Sequence, residues 1–106
     1  MVNLAALKAL CKPELIAITE HARLRLVERG ITVSDIISCI ASGEIIEQYE
    51  DDKPFPSCLI LGQSAKNKPI HAVVSEDGEF IYLITAYFPD ENVWESDYRT
   101  RKERSL

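Results

Sequence analysis

The sequence predicts an α+β domain: two or three N-terminal helices on one face of a four-stranded antiparallel sheet, followed by a short C-terminal helix. Three observations carry this. Apolar residues recur at helical spacing early in the chain, as Leu15, Ile18, Ala22 and Leu26 and then as Ile36, Ile37 and Ile40. The period then changes to strand-like runs, the most apolar of them between Phe80 and Phe88. Short polar connections, chief among them Asp77-Gly78, make successive strands antiparallel neighbours.

Each element has a local reason. Leu4, Leu7 and Leu10 form a short amphipathic turn, part of a helical extension over residues 1–13 that Pro13 ends or restarts. The next helix runs from Glu14 to Gly30, which suits the left-handed residue past a helix end. On it His21, Arg25 and Glu28 share a face, with Arg23 to one side. Thr32 or Ser34 caps the following helix, Asp35 suits its first turn, and Gly43 stops it. Glu44–Glu50 reads as a strand whose glutamates leave one face wet. Asp51–Pro56, with two prolines and adjacent acids, is a turn. Ser57–Gln63 is the second strand and Ala65–Lys68 a tight polar turn. The hairpin from Pro69 onward supplies strands three and four, the fourth expected to be central and buried on both faces. A terminal helix is expected around Asn92–Arg99, ahead of a basic tail over residues 99–106. Nothing marks a second domain or an internal repeat, so residues 1–106 read as one domain.

Composition narrows the function classes. A chain of 106 residues can bury one core without staples, and 46% apolar with 27% charged residues fits neither disorder nor a membrane protein. No apolar run is long enough to cross a bilayer, and Met1–Lys8 lacks a signal-peptide core. Cys11, Cys39 and Cys58 are scattered, without a Cys-x-x-Cys. They favour buried thiols in a reducing cytoplasm over a zinc site or a disulfide framework, and no cofactor is expected. The net charge of −5 hides a local +3 in the last eight residues, Arg-Thr-Arg-Lys-Glu-Arg-Ser-Leu, so the remainder carries −8. Any contact with nucleic acid must therefore be local. The plain alternative for this tail is a solvated, frayed end.

The landmarks taken together are more specific. They are His21-Ala22, Glu28-Arg29-Gly30-Ile31, Asp35-Ile36, Gly43-Glu44-Ile45-Ile46-Glu47 and Tyr49, then Lys53-Pro54 and Pro69-Ile70-His71, and finally Ile84-Thr85-Ala86-Tyr87, Pro89-Asp90, Trp94 and Tyr98-Arg99. From residue 20 to about 101 this pattern resembles a widespread bacterial family of small single-domain proteins of unknown function. That family looks related to the RelE- and BrnT-type toxins, which set two helices against an antiparallel sheet and cleave RNA. Members often lie beside a gene for a small zinc-finger antitoxin. The resemblance implies a RelE-like fold, an RNA substrate and an antitoxin of that kind as partner.

The residues can be tested against that chemistry. Cleaving RNA without a metal needs a group to take the 2′-hydroxyl proton, a donor for the leaving oxygen, and cations around the phosphate. Histidine titrates in the range for either proton role. Tyrosine can donate, orient or stack, and the fork of arginine grips two phosphate oxygens. The candidates are His71, Tyr87 and His21 for catalysis, with Arg23, Arg25, Arg99 and Arg101 for substrate binding; no metal ligands are assigned. Register decides whether they meet. A three-residue loop, Glu76-Asp77-Gly78, pairs His71 with Leu83 and puts it on one face with Leu83, Thr85 and Tyr87. A two-residue loop sends it to the other face. The longer loop is preferred because Gly78 suits its left-handed last position.

Each candidate also has a plain structural role. His71 can be a hydrogen-bonded strand residue, His21 a partner of Glu28, and Tyr87 a rim aromatic. Trp94 and Tyr98 read as a lid holding the terminal helix to the sheet, and Arg23, Arg25 and Arg29 as partners of Glu20 and Glu28. Two functions follow: a metal-independent, toxin-like endoribonuclease of a type II toxin–antitoxin pair, or a non-catalytic binding module on the same fold. The sequence leaves the oligomeric state open. A free edge at Glu44–Glu50 could pair with itself or with an antitoxin, though its glutamates discourage that.

Overall fold

A computed structural model describes residues 1–102. Helix α1 (Leu4–Ala9) is capped by the Asn3 side chain, which accepts from the Ala5 and Ala6 amides. A single 3-10 turn at Pro13–Leu15 leads into strand β1 (Ile16–Ile18). Helix α2 (Glu20–Arg29) starts at Thr19, whose hydroxyl accepts from Ala22 N–H. Helix α3 (Val33–Ser42) carries a complete capping box between Thr32 and Asp35. Four strands follow: β2 (Glu44–Tyr49), β3 (Ser57–Gln63), β4 (Pro69–Glu76) and β5 (Ile81–Tyr87).

The strands form one five-stranded sheet in the order β1-β5-β4-β3-β2. The four predicted antiparallel strands are present, and β1 adds a fifth, parallel to β5 through Ile16–Ile81, Ala17–Tyr82 and Ile18–Leu83. The sheet is therefore mixed, and the helix expected from Glu14 begins only at Glu20. Leu15 and Ile18 fit a helical stripe, but Ile16 and Ile18 are β-branched and have an open edge to pair with, while Thr19 starts the helix proper. The central strand is β4, not β5. Strand β5 is buried on one face only, with Ile84 exposed along it and Phe80 and Phe88 exposed at its ends.

Helices α2 and α3 cover one face. Ala22, Leu26, Ile36, Cys39 and Ile40 meet Cys58, Ile60, Ile70, Ala72, Val74, Leu83 and Ala86 there. All three cysteines are free thiols; Cys39 and Cys58 are buried and Cys11 is half-buried. Helix α3 sits so close to β3 that a Cβ on Gly62 would lie 2.1 Å from the Cys39 carbonyl oxygen.

The expected C-terminal helix does not form. Asp90–Lys102 instead doubles back as a strap, with Glu95 N–H donating to the Thr100 carbonyl (2.8 Å), Lys102 N–H to that of Val93 (2.8 Å), and Trp94 facing Arg101 across it. Asp90 and Asp97 accept from amides two or three residues on, which favours turns over a helix. Tyr98 is left-handed, at φ +58°, a conformation no α-helix contains. Residues 103–106 of the basic tail, Arg104 included, lie outside the described residues. No helix among those described is long and apolar enough to cross a membrane.

Two glycines test this packing against each other. Gly62→Ala must push Cys39 backbone away and is expected to cost about 3 kcal/mol or more. Gly78→Ala faces open space and carries only the penalty of φ +91°, about 1 kcal/mol. Guanidinium denaturation midpoints of the two variants check the ranking.

Candidate functional site

The face without helices is organised in rows set by strand register. One row across it is Glu44, Leu61, His71 and Tyr87, and the next is Glu47, Leu59, Val73 and Thr85. The hairpin reaches this arrangement differently from the sequence expectation. Its loop has four residues, Asp77–Phe80, with Glu76 opposite Ile81, and a bulge at Ile84 separates the Val74–Leu83 pair from Val73–Thr85. His71 therefore pairs with Tyr87 and not with Leu83, which turns to the helix side. Both the expected and the observed registers put His71, Thr85 and Tyr87 on one face. A second bulge, at Ile46, brings Glu44 and Glu47 to this same face despite their odd spacing.

The strap lies over these rows. His71 is fully buried, and Trp94 is 3% exposed. The Trp94 ring stands edge-on to the imidazole at 4.5 Å and 89°, and Tyr87 flanks it at 5.3 Å and 68°. Nε2 of His71 lies 2.7 Å from the Tyr98 carbonyl oxygen, which can only accept, so Nε2 carries the proton. Nδ1 of the neutral ring is then the acceptor for the Tyr87 hydroxyl at 3.3 Å. Burial pulls the His71 pKa down, against the Tyr98 carbonyl and Glu47, which raise it; Arg101 lowers it further. Burial likewise raises the Tyr87 phenol. The pair rests as neutral imidazole and neutral phenol.

Arginines of the strap hold it down. Arg101 grips Glu47 with both arms of its fork, Nε to Oε2 at 3.0 Å and Nη2 to Oε1 at 3.1 Å, and its guanidinium lies 4.5 Å from the centre of the Trp94 ring. Arg99 pairs with Glu44. The Tyr49 hydroxyl donates to Glu47 at 2.6 Å; burial first and then that carboxylate push its pKa up to about 12. Glu47 itself is held below the usual carboxylate range, chiefly by Arg101.

The structure thus brings together His71, Tyr87 and Arg101, with Arg99 at the end of the same row. It does not bring His21, Arg23 or Arg25 to them. His21 is exposed in the first turn of α2, which packs on the opposite face, and Arg23 is exposed on that helix. Arg25 pairs with Glu28 at 3.4 Å. Arg29 reaches the free edge of β5, donating to Thr85 Oγ1 (3.1 Å) and the Ala86 carbonyl (2.8 Å). Glu44 and Glu47 are site residues that the sequence placed on the wet face of a strand, and Tyr49, beside Glu47, had no site role there. Their one signal was the match of two acids to two later arginines. Trp94 and Tyr98 do form a lid, but over His71 and without a helix. No group of three or more metal-ligating side chains occurs among the described residues; in the acidic turn, Glu50 faces the N-terminal amine and Asp52 bonds Ser57.

Residues 18–88, about two thirds of the chain, match a family described as a domain of unknown function, DUF4258. The chain belongs to that family. No curated protein and no solved structure matches it. The matched stretch of this DUF4258 chain holds β2–β5 and hence His71, Tyr87 and both glutamates, whereas Trp94, Tyr98, Arg99 and Arg101 of the strap come after it.

A buried neutral imidazole sets a pH dependence. The folded-state pKa of His71 is depressed below the unfolded 6.5, so the unfolded chain binds the extra proton. Stability is full above about pH 6.5 and falls as pH drops from there toward the depressed folded value. His71→Gln should flatten that part of the curve. Urea denaturation of both proteins between about pH 7 and 5 measures it.

Proposed function

We propose that this DUF4258 chain is a toxin-like endoribonuclease that cuts RNA without a metal, with His71 and Tyr87 as its centre and the strap as its closure. The observation that carries the proposal is the pairing of His71 with Tyr87, Nδ1 to hydroxyl at 3.3 Å, on the sheet face the helices leave uncovered. The resemblance to RelE- and BrnT-type toxins supplies the substrate class, a RelE-like reading of the fold, a bacterial source, and a small zinc-finger antitoxin as the partner.

The chemistry needs the strap lifted. Nε2 is then released from the Tyr98 carbonyl, and the ring proton can move to Nδ1, whose N–H donates a hydrogen bond to the Tyr87 oxygen. Nε2 becomes the base for the 2′-hydroxyl proton as that oxygen attacks phosphorus. The bond to the 5′-oxygen breaks, and the leaving oxygen takes a proton from a donor such as the Tyr87 phenol, which its raised pKa keeps protonated. The products are a 2′,3′-cyclic phosphate and a 5′-hydroxyl. Arg101, freed from Glu47, supplies positive charge to the pentavalent phosphate. His21, Arg23 and Arg25 take no part.

One set of observations favours a second reading, a non-catalytic binding module. His71 is wholly buried with both nitrogens occupied, two glutamates stand in its rows, and the chain carries −5 overall. An acidic surface slows approach of RNA.

Incubating the full chain with single-stranded RNA in excess chelator separates the two. The nuclease reading expects slow cleavage with cyclic-phosphate ends, a loss of about 100-fold or more in His71→Ala, and faster cleavage in Glu47→Ala, which frees the strap's arginine. Intact RNA with both the wild type and Glu47→Ala overturns it and leaves the binding module.

A further inference from the structure

Two adjoining cavities open at the end of the sheet, beside the β3–β4 turn. The first, about 370 Å³, is walled by Arg29, Lys66, Lys68, Thr32, Asp35 and Phe88 among others. The second, about 300 Å³, lies between Lys68, Pro69, Phe88, Pro89 and Tyr98. They share Lys68 and Phe88. A groove therefore runs from three cations, past one aromatic ring, to the residue whose carbonyl holds His71 Nε2.

In a chain of net −5 this is a local positive spot. The one acid in its wall is already committed: Asp35 accepts the Thr32 amide on Oδ2 and the Ala65 amide on Oδ1, both at 2.9 Å. Those bonds keep its carboxylate ionised beside Lys66, so the wall sets three cations against one anion and stays positive. Arg29 is fixed at the rim by its two bonds to β5. Lys66 and Lys68 are exposed, and among the described residues neither forms an ion pair. Phe88 is 40% exposed between them and Tyr98. Three cations in one wall, with an exposed ring shared by the adjoining cavity, match a phosphodiester backbone and a stacked base. An acidic peptide would use the cations and leave the ring idle.

We infer that this groove binds a single-stranded RNA, its phosphates on Arg29, Lys66 and Lys68 and a base on Phe88, and leads the strand toward Tyr98 and the closed centre. The substrate class rests on the ribonuclease reading; the groove itself does not. Binding at the Tyr98 end places the strand where displacing the strap would expose His71.

The test uses an uncleavable probe, a fluorescent 2′-O-methyl single-stranded oligonucleotide, read by anisotropy with the full chain across a salt series. With three phosphates neutralised, log affinity should fall with log salt at a slope of about −2, and at roughly −0.7 in Lys66→Ala/Lys68→Ala. Phe88→Leu should weaken binding about tenfold while keeping the wild-type slope. Lys66, Lys68 and Phe88 are exposed, and matching circular dichroism confirms that the variants fold. No wild-type binding at low salt, unchanged affinity and slope in the lysine variant, or equal displacement by polyglutamate overturns the groove. If groove variants bind like the wild type while RNA is still cut, the groove alone falls. If the probe binds as expected and no RNA is ever cut, the nuclease reading alone falls.

Discussion

The structure turns on the double satisfaction of one imidazole. A buried ring nitrogen left without a partner costs about 1–3 kcal/mol, so His71 can be buried only where two partners arrive together. One is the Tyr87 hydroxyl, delivered by strand register, and the other is the Tyr98 carbonyl, delivered by the strap. A one-residue slip of β4 against β5 would remove the first, and an open strap would remove the second. Sheet register and strap position thus depend on the same side chain. Tyr98 shows how tightly the second is set: its φ of +58° is a costly conformation for a tyrosine, and it aims the carbonyl at Nε2.

The charge pattern follows from the same arrangement. A basic C-terminal segment against an acidic body looks in sequence like a tail awaiting an acidic partner. In the fold, Arg99 and Arg101 find that partner within the chain, as Glu44 and Glu47. Four charges that could have steered a ligand cancel locally. Arg29, Lys66 and Lys68 line one cavity elsewhere, and among the described residues none of the three forms an ion pair.

The sequence made much of this legible, and it did so wherever local chemistry dominates. The Thr32 cap with Asp35, the stop at Gly43, the Ser57–Gln63 strand and the polar turn after it rest on neighbours in sequence, and all are where composition puts them. Strand β1 was illegible because Leu15 and Ile18 fit a helical stripe, and the partners of Ile16 and Ile18, Ile81 and Leu83, lie far along the chain. The hairpin is the instructive case. A four-residue loop alone would have set His71 opposite Ala86 and thrown Tyr87 to the other face. The bulge at Ile84 adds one residue and restores the parity, so the expected face was right and the expected partner wrong. The site was half legible for a related reason. Histidine, tyrosine and arginine announce their chemistry by type, but Glu47 joins them only through the Ile46 bulge, which leaves no mark in composition.

Closure and the proposed catalysis compete for the same atom. While Nε2–H of His71 donates to the Tyr98 carbonyl, that nitrogen cannot accept a proton, and the Trp94 ring stands edge-on against the imidazole. The ion pairs that fasten the strap are half-exposed, so each contributes on the order of 1 kcal/mol or less and weakens with salt. The stronger hold comes from the buried indole and from the imidazole hydrogen bond itself. The residue proposed to do the chemistry is therefore also the latch that prevents it. A ligand need not attack the ion pairs to open such a site; it need only favour the state in which Tyr98 has let go.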